Sequence, residues 1–102
     1  MSSPGILLVD EDDDNRDMIA VALESEGYEV DRTSTAAEAV ARLRERRYRM
    51  IVCHYGLPDK TATVMLKDAK ADGLLENTAA VIVTGQPDPV GVEGADVLRK
   101  PR

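Results

Sequence analysis

Two groups of residues that could carry chemistry follow short apolar runs in this chain. Ile6 to Val9 is followed by five consecutive acids, Asp10 to Asp14. Met50 to Cys53 is followed by His54, four residues before Pro58. Carboxylates are preferred ligands of hard divalent cations, and an imidazole can pair with acids or bind a transition metal. The chemistry available to this chain therefore depends on whether the acids and the histidine meet.

Five segments are predicted to be strands that position these residues. They are residues 6–9, 29–32, 50–53, 80–84 and 97–99. Three of the five are nearly continuous apolar runs, a pattern typical of strands that are buried on both faces of a parallel sheet. The sequence therefore favours a parallel sheet over an antiparallel one.

Three segments with helical periodicity lie between these strands. The first, Asp14 to Glu26, begins with acids and stops at Gly27, and its predicted apolar stripe is Met18, Val21, Ala22 and Ser25. The alternation of these helical segments with the strands predicts right-handed βαβ units and a doubly wound sheet.

The second and third helices have their own start signals and stripes. Thr35 and Glu38 form a capping box before a helix that extends to about Arg47. A third helix is predicted from about Thr61 to Ala71. The predicted core positions of the two helices are Ala39, Val40 and Leu43 in the second, and Val64, Met65 and Ala69 in the third.

The alternation of strands and helices breaks off after the fourth strand. Residues 85–94 contain two Pro and three Gly, which predict a loop where a fourth helix would otherwise lie. The sequence ends at Arg102, directly after the fifth predicted strand, so we expect no fifth helix.

Composition limits the class of protein. A length of 102 residues predicts one domain, residues 1–102, in a chain with a net charge of −6. This acidity argues against nucleic acid as the main partner. No stretch is long and apolar enough for a membrane span, and no secretory signal is recognised, so a cytoplasmic protein is expected. Cys53, the single cysteine, is expected to be an inert buried thiol.

A run of arginines lies around the end of the second helix. Two interpretations are open: a solvated helix face, which we favour, and a binding patch. The residues are Arg42, Arg44, Arg46, Arg47 and Arg49.

Polar residues at predicted strand ends are expected to converge. In an open α/β sheet, ligands bind outside the carboxyl ends of the strands. The residues at or just past such ends are Asp10, Glu11, His54, Thr84 and Lys100.

The order and spacing of several motifs resemble the receiver domain of bacterial two-component response regulators, over residues 6 to 101. The acids after the first strand resemble the acidic pair of that family, and Leu57-Pro58-Asp59 resembles the loop after its phosphoacceptor strand. Further motifs match its second, fourth and fifth strands: Glu26-Gly27-Tyr28-Glu29-Val30, Val81-Ile82-Val83-Thr84-Gly85, and Gly94-Ala95-Asp96 with Leu98-Arg99-Lys100-Pro101. The resemblance implies a flavodoxin-like, five-stranded parallel sheet with strand order 2-1-3-4-5.

The resemblance also implies a role for each position. Asp10 and Glu11, with the carbonyl group of Gly56, stand where the family binds Mg²⁺. Thr84 and Lys100 stand where it contacts the phosphoryl group. The family's phosphoacceptor aspartate is replaced by His54, and the aromatic residue that reports phosphorylation is replaced by Val97.

Several interpretations of these residues stay open. His54 could pair with the acids, which we favour, bind a transition metal with Asp10 and Glu11, or be phosphorylated. Asp10 and Glu11 could hold an inherited metal pocket, which we favour, or only cap a helix; for Asp12, Asp13 and Asp14 we favour helix capping. We discount Asp59 as a substitute acceptor. No resident cofactor is expected, with Mg²⁺ or a transition metal at low occupancy as the alternative.

The leading hypothesis is a degenerate, non-enzymatic receiver that acts through protein interaction without aspartyl phosphorylation. The alternative is an active phosphorelay or a metal-controlled switch that uses a non-standard site. Loss of two helices would expose apolar residues of Ala80 to Val83 and of Val97 and Leu98, which predicts self-association or docking. Candidate partners are a histidine kinase or another domain of the same protein. The absence of a fifth helix would also be explained if the chain were cut from a longer protein.

Overall fold

The computed structural model describes residues 5–84 and 95–99, with side chains for residues 5–83. The elements in chain order are β1 (Ile6–Val9), α1 (Asp13–Ser25), β2 (Val30–Thr33), α2 (Ala36–Glu45), β3 (Met50–His54), α3 (Ala62–Ala71), β4 (Ala79–Thr84) and β5 (Ala95–Arg99). The strands form one sheet in the order β2-β1-β3-β4-β5, and every pair is parallel. The predicted fold class and strand order are confirmed.

Most predicted boundaries lie within one or two residues of the observed ones. β5 begins at Ala95 instead of Val97, because its pairing with β4 already starts where Ala80 meets Ala95. The loop predicted for residues 85–94 and the predicted absence of a fifth helix lie outside the described residues.

Each helix begins with a side-chain cap. Asp12, Thr35 and Thr61 each accept a hydrogen bond from the backbone N–H three residues further on. In the predicted capping box, the Glu38 carboxylate accepts from the N–H of Ser34 at 2.8 Å, one residue before the expected partner Thr35. These caps satisfy amide groups that a helix leaves without intrahelical partners.

The sheet is covered on both faces. α2 and α3 contribute to the larger core cluster, with Leu7, Ile51 and Ile82 from the strands. α1 contributes to the smaller cluster on the other face, with Ile6, Leu8 and Val52. Side chains that alternate along each strand therefore enter opposite clusters, as the pleat of a strand requires.

The predicted apolar face of α1 is wrong. Met18 is 64% exposed and Val21 is 59% exposed, and Ala22 and Ser25 also face solvent. The inward face carries Ile19, Ala20 and Leu23 instead. Both stripes fit a helical period, so periodicity alone could not choose between them.

The core positions predicted for the other helices are largely confirmed. Ala39 and Leu43 of α2 are buried, and Val40 packs beside them. In α3, Met65 and Ala69 are buried, whereas Val64 is 45% exposed and Leu66 takes the inward position.

The arginine run is mostly engaged in ion pairs on the surface. Arg44 pairs with Asp72 at 3.0 Å, and Arg46 pairs with Asp31 at 3.3 Å. Exposed pairs of this kind contribute about 0–1 kcal/mol each. These contacts support the interpretation as a solvated helix face. Within the described part of the chain, no helix is long and apolar enough to cross a membrane.

Candidate functional site

Asp10 lies immediately after β1 and is almost completely buried, at 2% exposure. Its Oδ1 atom accepts from the N–H of Asp12 at 3.0 Å. Its Oδ2 atom accepts from the side-chain amide of Asn15 at 2.6 Å. Both carboxylate oxygens of Asp10 are therefore occupied by donors from the start of α1.

Arg16 fixes the same helix end through a second set of contacts. One guanidinium nitrogen donates to the carbonyl oxygen of Asp10 at 2.9 Å and to Ser34 Oγ at 3.1 Å. The other donates to Asp13 Oδ1 at 2.6 Å. Asn15 and Arg16 were not among the predicted site residues; the only sequence signal was two polar donors in the first turn after an acidic strand end.

The remaining acids of the N-terminal run face solvent. Asp12 is the N-cap of α1, and Asp13 and Asp14 occupy its first turn. This arrangement confirms the helix-capping interpretation of these three acids. Glu11 is exposed beside them.

His54 is the last residue of β3. Val9 of β1 is paired with Cys53, so the next residues along these strands, Asp10 and His54, lie side by side at the carboxyl edge of the sheet. The His54 Nδ1 atom is buried and has no hydrogen-bond partner. The favoured pairing of His54 with Asp10 is not observed: the described hydrogen bonds to this carboxylate come from Asp12 and Asn15, and none comes from the unpaired His54 Nδ1.

The other predicted site positions are described only in part. Thr84 ends β4 at the same edge, opposite Arg99, and its side chain lies outside the described set. Val97 is paired with Ile82 through the backbone of β5. Gly56 is exposed and forms an isolated antiparallel bridge with Thr61. Lys100 lies outside the described residues.

The loop after β3 is tied to α2 by Asp59. Its two carboxylate oxygens accept from the N–H groups of Ala36 and Ala37, both at 2.9 Å. Partial desolvation raises the pKa of Asp59, but hydrogen bonds from these two amides and its own outweigh that effect and lower the pKa below its ordinary value. Sequence reasoning missed this capping role, because 22 residues separate Asp59 from Ala37.

Cys53 is fully buried beside the site. Burial raises the pKa of its thiol to about 12. Its Sγ atom donates to the carbonyl oxygen of Val81 at 3.5 Å. The predicted inert buried thiol is confirmed, since the reactive thiolate is strongly disfavoured there.

The donor set at this edge does not fit a divalent-cation site. Asp10 has donors on both oxygens, Glu11 faces solvent, and β3 ends on an imidazole instead of a third carboxylate. Among the residues with described side chains, no three His, Cys, Asp or Glu are grouped to hold a metal ion. Mg²⁺ favours several oxygen ligands in octahedral geometry, and the described side chains at this edge do not present them.

Comparisons with known proteins place the chain in a family. A family model described as the response regulator receiver domain matches residues 6–98. A CheY-like response regulator receiver domain protein from Methanospirillum hungatei JF-1 is similar in structure, with a TM-score of 0.82 and 32% identity over 99% of this chain and 84% of that one. No curated protein shows significant similarity to the sequence.

Two further solved structures share the fold at lower identity. A CheY-like receiver domain from Methylobacillus flagellatus has a TM-score of 0.87 and 23% identity, over 99% of this chain and 89% of that one. A response regulator from Burkholderia pseudomallei, which holds a phosphorylated aspartic acid, a calcium ion and citrate, has a TM-score of 0.81 and 19% identity, over 98% and 61% of the two chains. The family model and the five-stranded parallel sheet agree: this chain belongs to the response regulator receiver domain family of two-component signalling.

Proposed function

We propose that this receiver domain does not accept phosphate on an aspartate and that it acts, as a non-enzymatic cytoplasmic module, by binding a protein partner. The observation that carries the proposal is His54 at the end of β3. An acyl phosphate forms only on a carboxylate, and the related regulator from Burkholderia pseudomallei holds its phosphate on an aspartic acid. An imidazole at this strand end cannot supply that nucleophile.

Asp59 does not supply a substitute carboxylate. It lies in the loop that follows His54, but both of its oxygens accept hydrogen bonds from the first amides of α2. Attack by Asp59 on a phosphodonor would require these charge-assisted hydrogen bonds to break. The two roles therefore compete, and the structure favours the helix cap.

The alternative, a metal-controlled switch at His54, Asp10 and Glu11, gains no support from the geometry. These side chains are not grouped as a three-residue metal site. Both oxygens of the Asp10 carboxylate already accept hydrogen bonds, from Asp12 and Asn15. A phosphorelay through His54 lacks a supporting contact, since its Nδ1 atom is buried and unpaired.

Phosphorylation is tested by intact mass after incubation with MgCl₂ and acetyl phosphate. One phosphoryl group adds about 80 Da. We expect no adduct on this chain, while a phosphorylatable receiver treated in parallel gains one. A stable adduct that maps to an aspartate of this chain would overturn the proposal.

The interaction surface proposed here is the outer α1 face, defined as Met18, Val21, Ala22 and Ser25. Its two largest side chains are among the most exposed apolar residues in the described part of the chain. Acids flank it, with Asp14 and Glu26 both exposed. Apolar area with an acidic border is complementary to a partner helix that has an apolar stripe and basic flanks.

The flank of β4, predicted from the sequence to be exposed, is a weaker candidate. Ala80 is 9% exposed and Ile82 is fully buried, so the expectation was wrong for these two residues. Val81 and Val83 are partly buried against the smaller core cluster, to which α1 contributes. Self-association through this flank is an alternative outcome of the binding test.

The surface is tested with a synthetic Leu/Lys amphipathic helix as the probe, by fluorescence anisotropy. Saturable, salt-sensitive binding that is lost in the M18D/V21D variant and kept in V64D would support the outer α1 face. V64D is the matched control because Val64 is similarly exposed, at 45%, on a different helix. Equal binding by all three proteins, or a dimer in light scattering that M18D/V21D leaves intact, would contradict it.

A further inference from the structure

We infer that Arg32 limits which acids of α1 can pair with a partner, so that the partner helix carries its basic residues about three turns apart, at the two ends of its apolar stripe. This restriction rests on the proposed function and deepens it, because it concerns the same outer α1 face. The observation behind it is that Arg32 forms ion pairs with both Asp17 and Glu24.

Two acids beside the centre of the outer α1 face are already paired. Asp17 precedes Val21 by four residues and Glu24 follows it by three, so both are neighbours of Val21 on the helix surface. Arg32 lies on the edge strand β2 and donates to Asp17 at 3.2 Å through one guanidinium nitrogen and to Glu24 at 3.1 Å through the other. A basic side chain of a partner would therefore have to displace Arg32 to pair with either acid.

Two acids at the ends of the same face remain available. Asp14 lies one turn before Met18, and Glu26 is the C-cap of α1. Both side chains are exposed and form no ion pair or hydrogen bond with any side chain in the described part of the chain. Asp13, the other acid of the first turn, is paired with Arg16 at 2.6 Å. The unpaired negative charge of α1 therefore lies at its two ends.

The carboxyl end of α1 favours a cation more strongly than the amino end. The helix has no basic residue in its last turn, and the macrodipole places partial negative charge there. Glu26 adds a carboxylate at the same point. At the amino end the macrodipole is positive and partly offsets the charge of Asp14. Loss of Glu26 is therefore expected to weaken partner binding more than loss of Asp14.

The spacing of the two free acids defines the pattern of the partner. Glu26 follows Asp14 by 12 residues, which is about 18 Å along a helix. A partner helix that packs lengthwise on α1 matches these acids with basic residues about 12 positions apart. Its apolar stripe then lies between the two basic residues, over Met18 and Val21.

Two synthetic helices of identical composition test this pattern by fluorescence anisotropy with the whole chain. Both carry the same leucine stripe and are checked for equal helicity by circular dichroism. One has its lysines at the two ends, about three turns apart, and the other has them beside the middle of the stripe. We expect wild type to bind the end-lysine peptide about three- to tenfold more tightly.

The variant R32Q frees Asp17 and Glu24 and is expected to reduce this affinity ratio by at least about threefold. The ratio is the readout because the added negative charge of R32Q attracts both peptides alike. An unchanged ratio in R32Q would overturn the role of Arg32.

The matched controls change the net charge by the same amount. D14N and E26Q each remove one free acid and should weaken binding of the end-lysine peptide by about two- to fivefold. D17N/E24Q/R32Q removes two acids and one base, which is the same change in net charge, and should leave the affinity within about twofold.

The outcomes separate this inference from the proposed function. Equal binding of both peptides by wild type, with M18D/V21D still abolishing it, would overturn the role of Arg32 and leave the outer α1 face intact as the interaction surface. Failure of wild type to bind either peptide would overturn both.

Discussion

The ends of β1 and β3 lie side by side at one edge of the sheet, yet their polar residues differ in hydrogen bonding. At the end of β1, both oxygens of the buried Asp10 accept hydrogen bonds. At the end of β3, the buried Nδ1 atom of His54 has no partner. A buried polar atom is costly when unpaired. The comparison indicates that Asp10 has become part of the framework that holds α1, whereas His54 contributes nothing comparable to the fold.

The largest expected effect is at the β1 end. D10A leaves the Asn15 amide and the Asp12 N–H without their acceptor, and we expect it to lower the free energy of unfolding by about 2–4 kcal/mol. The measurement is urea unfolding followed by circular dichroism. D14A, at an exposed acid of the same helix, is the control and should change it by less than about 0.5 kcal/mol. Equal effects of the two variants would mean that Asp10 does not hold α1.

At the β3 end, a substitution is expected to raise the free energy of unfolding instead of lowering it. H54L removes the unpaired Nδ1 atom and puts an apolar side chain of similar size in its place, so we expect a gain of about 1 kcal/mol in the same unfolding experiment. H54Q, which retains a polar side chain there, should give no gain. A loss of stability in H54L larger than that in H54Q would show that the histidine is paired in solution.

Asp59, in the loop that follows β3, offers a third comparison. D59N weakens the cap on Ala36 and Ala37, and we expect a loss of about 1 kcal/mol at neutral pH. D68N, at an exposed acid of α3, is the control. Similar losses in both variants would contradict the capping role.

The pH dependence of the Asp59 cap follows from its lowered pKa. Because the folded-state pKa lies below the ordinary value of 3.8, the contribution of the carboxylate is present above that value and is lost as the pH falls through the folded-state pKa. The difference in stability between wild type and D59N should therefore shrink on acidification below about pH 4. A difference that stays constant to pH 2 would argue against a charged cap.

The smallest effect on stability is expected on the outer α1 face. M18D/V21D should change the free energy of unfolding by less than about 0.5 kcal/mol, because neither side chain is buried. The same variant should lose binding of the basic amphipathic probe. Unfolding of the variant in mild urea would instead place these side chains in the core.

The sequence was sufficient for the architecture because strand and helix periods are local properties. Short apolar runs such as Ile6 to Val9 are typical of strands buried on both faces, and their short length separates them from helices. The rotation of α1 was not predictable in this way, since apolar residues occur on both of its faces. Contacts of Asn15 and Arg16 with Asp10 accompany the observed rotation, and such polar contacts leave no periodic signal.

The sequence predicted which residues meet at the candidate site, but it did not predict their hydrogen bonds. The convergence of Asp10 and His54 follows from strand order and register. Which donor reaches the Asp10 carboxylate depends on side-chain geometry in the first turn of α1. The role of Asp59 depends on a contact with a helix that comes earlier in the chain, which spacing within its own loop could not reveal.

The most direct test of the central claim compares phosphorylation of wild type and H54D. Both are incubated with MgCl₂ and acetyl phosphate, and adducts are located by peptide mapping. The central claim predicts no aspartyl phosphate on wild type and an adduct at position 54 in H54D, where the carboxylate is restored. An aspartyl phosphate on wild type would contradict it.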